Sequence, residues 1–371
     1  TGVQTCALPI SLSLKRVAIV TARARDWKPP FSRNKLLSLC RRGQCASPLP
    51  FSSDVPAIRL SGTTRWMRVS DHGSSIGRIC IAVGGLHSVP AKTIISPSDL
   101  ADLIERCAVK VLDASWYLPG EARDPHREYL AARIPGSRFF DIDRIADSDH
   151  SCPHMLPDAR QFARQVESLG VGSDDLVVIY GGKGLFSAPR AWWMFRAFGH
   201  DQVRILSGGL PAWQSHGFPV ESGEATQSES DSDFKAEYQP QWVADKERVR
   251  AAMGTPDVLI LDARSAPRFA GEEPEPRPAV RPGHIPGSRN LHYAGVIAEG
   301  GHGLKSAAEL NRLFAGVGID QAGSVITTCG SGISACILAL ALHELGRSPV
   351  AVYDGSWAEW GADPACPIEK G

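Results

Sequence analysis

Ile134-Pro135-Gly136-Ser137-Arg138 returns, 151 residues later, as Ile285-Pro286-Gly287-Ser288-Arg289. Three other landmarks recur at nearly the same spacing. Val111-Leu112-Asp113-Ala114 comes back as Ile260-Leu261-Asp262-Ala263 after 149 residues, and Val177-Val178-Ile179-Tyr180 as Val325-Ile326-Thr327-Thr328 after 148. Ser207-Gly208-Gly209-Leu210-Pro211-Ala212-Trp213 matches Asp354-Gly355-Ser356-Trp357-Ala358-Glu359-Trp360 at a distance of 147. Landmarks held so nearly to one period mark a duplicated unit. Each copy alternates short β-branched runs with helical patterns, which predicts an α/β fold made twice: a mainly parallel sheet with helices on both faces. In the second copy the runs at 258–261, 324–328 and 350–353 read as strands, and 334–345 as an apolar helix ended by Gly346, the residue type suited to the left-handed turn after a helix. The copies should occupy residues 92–222 and 234–371, joined by a linker at 223–233 rich in Ser, Glu and Asp.

The segment 1–91 reads differently. It mixes Arg, Ser, Pro and scattered cysteines (Cys6, Cys40, Cys45) without sustained periodicity, and is expected to be disordered or artefactual. Residues 1–10 resemble translated sequencing-adapter sequence, and Met67 is read as a natural start; the competing reading is an Arg- and Ser-rich transit peptide. Over the whole chain, 43% apolar and 22% charged residues are ordinary for a globular protein. Lys plus Arg and Asp plus Glu both number 40, so no global field draws the protein to nucleic acid or an anionic membrane. No apolar run reaches the ~18 residues a membrane span requires. The nine cysteines include no C-x-x-C pair, which fits neither a secreted disulfide framework nor a common zinc site, and a reducing cytoplasm is the expected compartment.

Cys329-Gly330-Ser331-Gly332-Ile333-Ser334 lies where a strand should end and a helix begin, the sheet edge at which open α/β folds place ligands. A Gly-rich turn into a helix aims several backbone N–H groups inward and adds the helix dipole, so the thiol at its centre is expected to ionise more readily than a free cysteine. Gly330 and Gly332 should let the chain curl, and Ser331 and Ser334 bring hydroxyl donors. The first copy has Gly181 at the position of Cys329, so one copy carries a nucleophile and the other serves as wall. Cys336, seven residues on, reads as an ordinary buried thiol.

Further segments sharpen this. Leu112-Asp113-Ala114-Ser115-Trp116-Tyr117-Leu118-Pro119, Phe139-Phe140-Asp141-Ile142-Asp143, Pro153-His154-Met155-Leu156-Pro157, Ser187-Ala188-Pro189-Arg190-Ala191-Trp192-Trp193, Glu273-Pro274-Glu275-Pro276-Arg277, Gly283-His284-Ile285-Pro286-Gly287 and Cys329-Gly330-Ser331-Gly332 together resemble the tandem-domain rhodanese family, in its mercaptopyruvate-using branch. The resemblance spans essentially all of 92–367. It implies two rhodanese-like domains and a sulfurtransferase that moves the sulfur of 3-mercaptopyruvate to Cys329 as a persulfide, then to a thiol such as thioredoxin or to cyanide, with no metal or organic cofactor. Thiosulfate-preferring members carry Arg and Lys after the cysteine where Gly330 and Ser331 stand here. A monoanionic keto acid gains less from such cations than doubly charged thiosulfate does, which favours mercaptopyruvate.

By the same resemblance, Arg268 and Arg277 fall at substrate-clamping positions, with Gly330, Gly332, Ile333 and Ser334 forming the cradle. A guanidinium suits the planar carboxylate and ketone of the donor. Ser331, His154 and Asp143 occupy the family's Ser-His-Asp positions, and Arg190 with Trp192 and Trp193 reads as core and interface of the first copy. Two rivals remain. A Cys-loop phosphatase needs C-x5-R, and the residue six after Cys329 is Ala335, so the main phosphoryl clamp is missing. A non-catalytic sulfur carrier differs from an enzyme by releasing at most one equivalent of product.

Overall fold

The computed structural model describes residues 92–225, 232–301 and 303–371, all within the compact unit Met67–Gly371. The expectations for 1–91, and the middle of the linker, lie outside the described residues. The first copy runs β1 (Ile94–Ile95), α1 (Pro97–Glu105), β2 (Lys110–Asp113), α2 (Pro125–Ala131), β3 (Arg138–Phe139), α3 (Ala159–Ser168), β4 (Val177–Tyr180), α4 (Ala188–Ala197), β5 (Val203–Leu206) and α5 (Gly209–Ser215). The second repeats it as β6 (Val243–Ala244), α6 (Lys246–Ala252), β7 (Val258–Asp262), α7 (Ala266–Ala270), β8 (Arg289–Asn290), α8 (Ala307–Gly316), β9 (Ser324–Thr328), α9 (Ala335–Glu344), β10 (Ala351–Tyr353) and α10 (Ser356–Trp360). The two five-stranded sheets, ordered β1-β5-β4-β2-β3 and β6-β10-β9-β7-β8, have one topology, and their strand pairs are parallel. The expected α/β duplication is thus the observed fold.

Local chemistry sets the element ends. Ser96 with Asp99 and Ser306 with Glu309 form capping boxes that open α1 and α8, while Asp124, Asp158 and Asp245 accept backbone amides at the starts of α2, α3 and α6. Beyond α9, Gly346 takes φ 80° and donates its amide to the carbonyl of His343, the glycine-terminated end expected there.

The central strands β4 and β9 are each followed by a loop and then by a helix apolar on nearly every face. A helix without a polar face has to be covered on all sides. In α4 every residue except Arg196 is buried, and in α9 every residue up to Leu342. Each helix is covered on one side by its own sheet and on the other by its counterpart, so both lie within a single core that crosses from lobe to lobe. The Trp192 ring sits 5.2 Å from that of His343 at this seam, and truncating Trp192 to alanine would cost about 3–5 kcal/mol. The loops Gly181 to Ser187 and Cys329 to Ser334, which lead into these helices, are therefore both set beside the inter-lobe seam. Among the described residues no helix is long and apolar enough to cross a membrane.

Candidate active site

Cys329 directly follows β9 and is 1% exposed. Its carbonyl and that of Gly330 accept the amides of Trp357 and Ala358 at 3.0 and 2.9 Å, so the first turn of α10 holds the loop backbone. The amide of Cys329 is not part of a cradle for its own sulfur: it donates to Ser356 Oγ at 3.2 Å. From Gly330 to Ser334 the backbone amides donate to no protein acceptor among the described residues, and Ser334, which begins α9, makes no side-chain cap. These uncommitted donors at a helix start are what an anion needs. Gly332 takes φ 77°, and a Cβ there would stand 2.7 Å from Arg190 Nη1. Gly330 is different from the expectation, since its φ is not in the left-handed region; what it provides is room, a Cβ there lying 3.3 Å from Arg268 Nη2. Cys336 is fully buried, gives its S–H to the Gly332 carbonyl at 3.1 Å, and has its thiol pushed well up by burial.

Three arginines follow β7 on this side of the second lobe. Arg264, 2% exposed, pairs with Asp262 at 2.7 Å and with Glu275 at 2.8 Å, and lies over the Trp357 ring. Arg268, on α7, shares the same Glu275 at 2.5 Å. The buried Glu275 thus fixes the proline-framed loop against two guanidinium groups at once. Arg277, at the end of that loop, has no ion pair among the described residues. Burial pushes its acidity up, and the negative charge of a Cys329 thiolate opposes that shift while neighbouring Arg268 adds to it. Arg277 is therefore within electrostatic reach of the thiol and makes no ion pair, while Arg268 Nη2 borders the loop at Gly330.

The first lobe brings His154 and Asp143. His154 adopts φ 63° and is buried against the Trp116 ring, 5.0 Å away and nearly perpendicular. Its Nδ1 stands 2.8 Å from Asp143 Oδ1, off the line of a straight hydrogen bond, and its Nε2 is buried without a partner among the described residues. The Trp116 indole donates to both Asp143 oxygens at 3.1 and 3.2 Å. Desolvation pushes the Asp143 carboxyl up, but His154 and Trp116 outweigh it and hold it below the usual carboxylate range, while 59% of the side chain stays open to solvent. The Ser331 side chain, 7% exposed in the cysteine loop, makes no hydrogen bond to His154 Nε2.

Arg190 joins the two lobes. It is fully buried on α4, and its Nη1 contacts Asp354 Oδ1 at 2.6 Å and the Gly332 carbonyl at 3.3 Å, while Nη2 donates to the His154 carbonyl. Reading it as core and interface was correct but incomplete. Arg264, Glu275, Asp354 and Ser356 also escaped the sequence reading. The available signal was asymmetry between the copies: Ser115 and Ser207 stand where the second lobe has Arg264 and Asp354. Two cavities, of about 410 and 300 Å³, lie away from Cys329, one lined by Ser207, Lys305 and Leu345 and the other by Met253, Pro286 and Gln321.

Residues 96–216 and 245–363 each match the rhodanese-like domain. The chain is 44% identical over 255 residues to the 3-mercaptopyruvate sulfurtransferase of Rattus norvegicus, an alignment covering 68% of this chain and 84% of that protein. It is 43% identical over 281 residues to the mitochondrial thiosulfate/3-mercaptopyruvate sulfurtransferase 1 of Arabidopsis thaliana, covering 71% and 74%. SseA from Escherichia coli, solved as a 3-mercaptopyruvate sulfotransferase of the rhodanese fold, superimposes with a TM-score of 0.65 at 37% identity over 72% of this chain and 99% of its own. With both repeats matched and most of each relative covered, the chain belongs to the rhodanese family as a member with two rhodanese-like domains.

Proposed function

We propose that the protein is a 3-mercaptopyruvate sulfurtransferase with Cys329 as its nucleophile. The observation that carries this reading is Arg277, a half-buried guanidinium without a carboxylate partner among the described residues, within the field of the Cys329 thiol. Such a cation favours a donor that brings its own carboxylate. Arg268, already neutralised by Glu275, adds a second guanidinium toward the keto group.

The Cys329 thiolate attacks the donor sulfur, forming an S–S bond as the carbon–sulfur bond breaks. The released electron pair becomes the enolate of pyruvate, and a proton delivered to its carbon gives pyruvate. His154, backed by Asp143, is the proton carrier in this scheme, and the Ser331 hydroxyl donates to the charge developing on the keto oxygen. The outer sulfur of the persulfide rests among the amides of Gly330, Gly332, Ile333 and Ser334. A thiolate acceptor such as thioredoxin, or cyanide, then attacks that outer sulfur and Cys329 leaves as thiolate, ready for another donor. A reducing setting such as the cytoplasm suits a residue that cycles in this way. The Arabidopsis relative is named for both donors, so thiosulfate is the second reading.

Incubation with mercaptopyruvate and a reducing thiol should release pyruvate and sulfide over many turnovers. A yield capped at one equivalent per chain would indicate a carrier. Cys329→Ser should fold normally and gain no sulfur by mass spectrometry; a persulfide found on that variant would reject the assignment.

A further inference from the structure

We propose that Arg190 is a positioning residue for sulfur transfer, an inter-lobe clamp that, with Asp354, fixes His154 relative to the Cys329 loop. The inference rests on the sulfurtransferase reading and goes beyond it by assigning the residue that sets the geometry between the lobes.

The hydrogen-bond partners of this one side chain all belong to the site, while its guanidinium lies over the Trp193 ring at 4.5 Å. Arg190 is 0% exposed, and a guanidinium so deeply buried needs acceptors for its donors; both Nη atoms have them, whereas Nε is buried without a partner among the described residues. Nη1 meets Asp354 Oδ1 at 2.6 Å and the Gly332 carbonyl at 3.3 Å, inside the loop that starts with Cys329. Nη2 meets the carbonyl of His154, and the other oxygen of Asp354 accepts the amide of Leu156 at 2.6 Å. The ion pair therefore grips the strand of chain on both sides of Met155. His154, which adopts the uncommon φ of 63°, is fixed through its own carbonyl at the first of these two contacts. Gly332 has no Cβ where the guanidinium passes, for one would stand 2.7 Å from Nη1.

The duplication supplies an internal control. Counted from the starts of α4 and α9, the residue of α9 matching Arg190 is Ile337, and the first-lobe residue matching Asp354 is Ser207. Ile337 is as buried as Arg190. The same fold thus accepts an apolar residue and a serine at the related places, and the charged pair occurs only beside the nucleophile. Buried ion pairs seldom stabilise more than well-packed apolar residues of similar volume, and their attested use is to fix one arrangement over others.

The test transplants the pair from the other half. The double variant Arg190→Ile with Asp354→Ser leaves no buried charge without a partner. It should keep a urea midpoint close to that of the wild type. Alkylation of Cys329 by neutral iodoacetamide should stay within about threefold, whereas kcat with mercaptopyruvate falls roughly 100-fold at a KM changed by less than about threefold, the penalty of an ångström-scale displacement of a catalytic group. Hydrogen exchange at the Leu156 amide should quicken by about tenfold or more. Arg190→Lys, which can meet Asp354 but cannot span three acceptors, should fall between. A folded double variant with kcat within threefold of wild type would overturn the clamp, as would a loss confined to KM. Failure of the double variant to fold would overturn it as well, by showing that the pair serves folding. Wild-type protein that releases no pyruvate would reject the sulfurtransferase reading instead, and the clamp would then stand or fall on the exchange of Leu156.

Discussion

The hydroxyl of Ser356 accepts the amide proton of Cys329 at 3.2 Å and donates its own proton to the carbonyl of Tyr353 at 2.7 Å. Ser356 is fully buried and adopts φ 50°, in the left-handed region that a serine seldom enters. The end of β10 is in this way tied to the first residue of the catalytic loop. Ser356→Ala would strand the Cys329 amide in the interior and should cost about 1–3 kcal/mol of unfolding free energy. Ser356→Gly loses the same acceptor but relieves the backbone, which should return about 1 kcal/mol. Urea denaturation of the two variants checks both figures, and an alanine variant as stable as wild type would mean that the amide finds another acceptor.

Arg277 makes no ion pair among the described residues and feels Glu275 only from a distance, so a carboxylate donor should be its natural counter-ion. Arg277→Ala should lower kcat/KM for mercaptopyruvate by about 10- to 100-fold, the worth of one charge-assisted contact, and lower use of thiosulfate less. Arg277→Lys keeps the charge without the planar fork and should lie between. Steady-state kinetics with the two donors side by side decide the point. Equal losses with both would remove the carboxylate clamp from the mechanism.

Much of the fold was legible because duplication writes the same physical solution twice. The apolar run after Cys329 announced α9 to within a residue at each end, and the runs at β7, β9 and β10 announced strands. The two-residue strands β1, β3, β6 and β8 carry too few side chains for any period to show. Cys329 stood out because Gly181 occupies its place in the other copy. The partners of Arg190 did not, since its contacts with Gly332 and Asp354 span 142 and 164 residues and a lone arginine in an aromatic helix has no periodic signal. His154 and Asp143 were reached only through family resemblance, and the left-handed turn that buries His154 has no glycine to announce it.

Glu275 shows how a stiff loop is fastened. Its side chain is 4% exposed and meets Arg264 Nη1 at 2.8 Å and Arg268 Nη2 at 2.5 Å. Glu275→Ala removes one of the two counter-charges of Arg264, itself 1% exposed, and should destabilise the protein by about 3–5 kcal/mol, the usual consequence of breaking a buried pair from one side. Glu275→Gln keeps the volume and one acceptor and should cost less. The same variants free Arg268, so KM for mercaptopyruvate should change along with stability. A Glu275→Ala protein within about 1 kcal/mol of wild type would show that Asp262 alone satisfies Arg264.

His343 should make stability depend on pH. It lies between Trp192 and Trp242 at the lobe seam, with Arg196 and Asp201 as its charged neighbours, and its Nδ1 is buried without a partner among the described residues. Burial, with the charge of Arg196 behind it, pushes the imidazole down to about 4 from an ordinary 6.5, against a smaller opposing pull from Asp201. Between those values the unfolded chain binds a proton that the folded chain refuses, so this contribution is present above pH 6.5 and is lost as the pH falls through 4. Asp113 works in the opposite sense. Burial raises its carboxyl to about 6 from 3.8, so the folded state holds the extra proton, and the stability it lends at low pH is lost as the pH rises through 6. The two slopes overlap and partly cancel in the wild type, which is why the comparison has to be made against a variant. His343→Leu, which keeps an apolar contact with Trp192, should make the urea midpoint fall less between pH 7 and pH 5 than it does in the wild type. An unchanged slope would mean that the His343 ring finds solvent or a counter-ion when it takes up its proton.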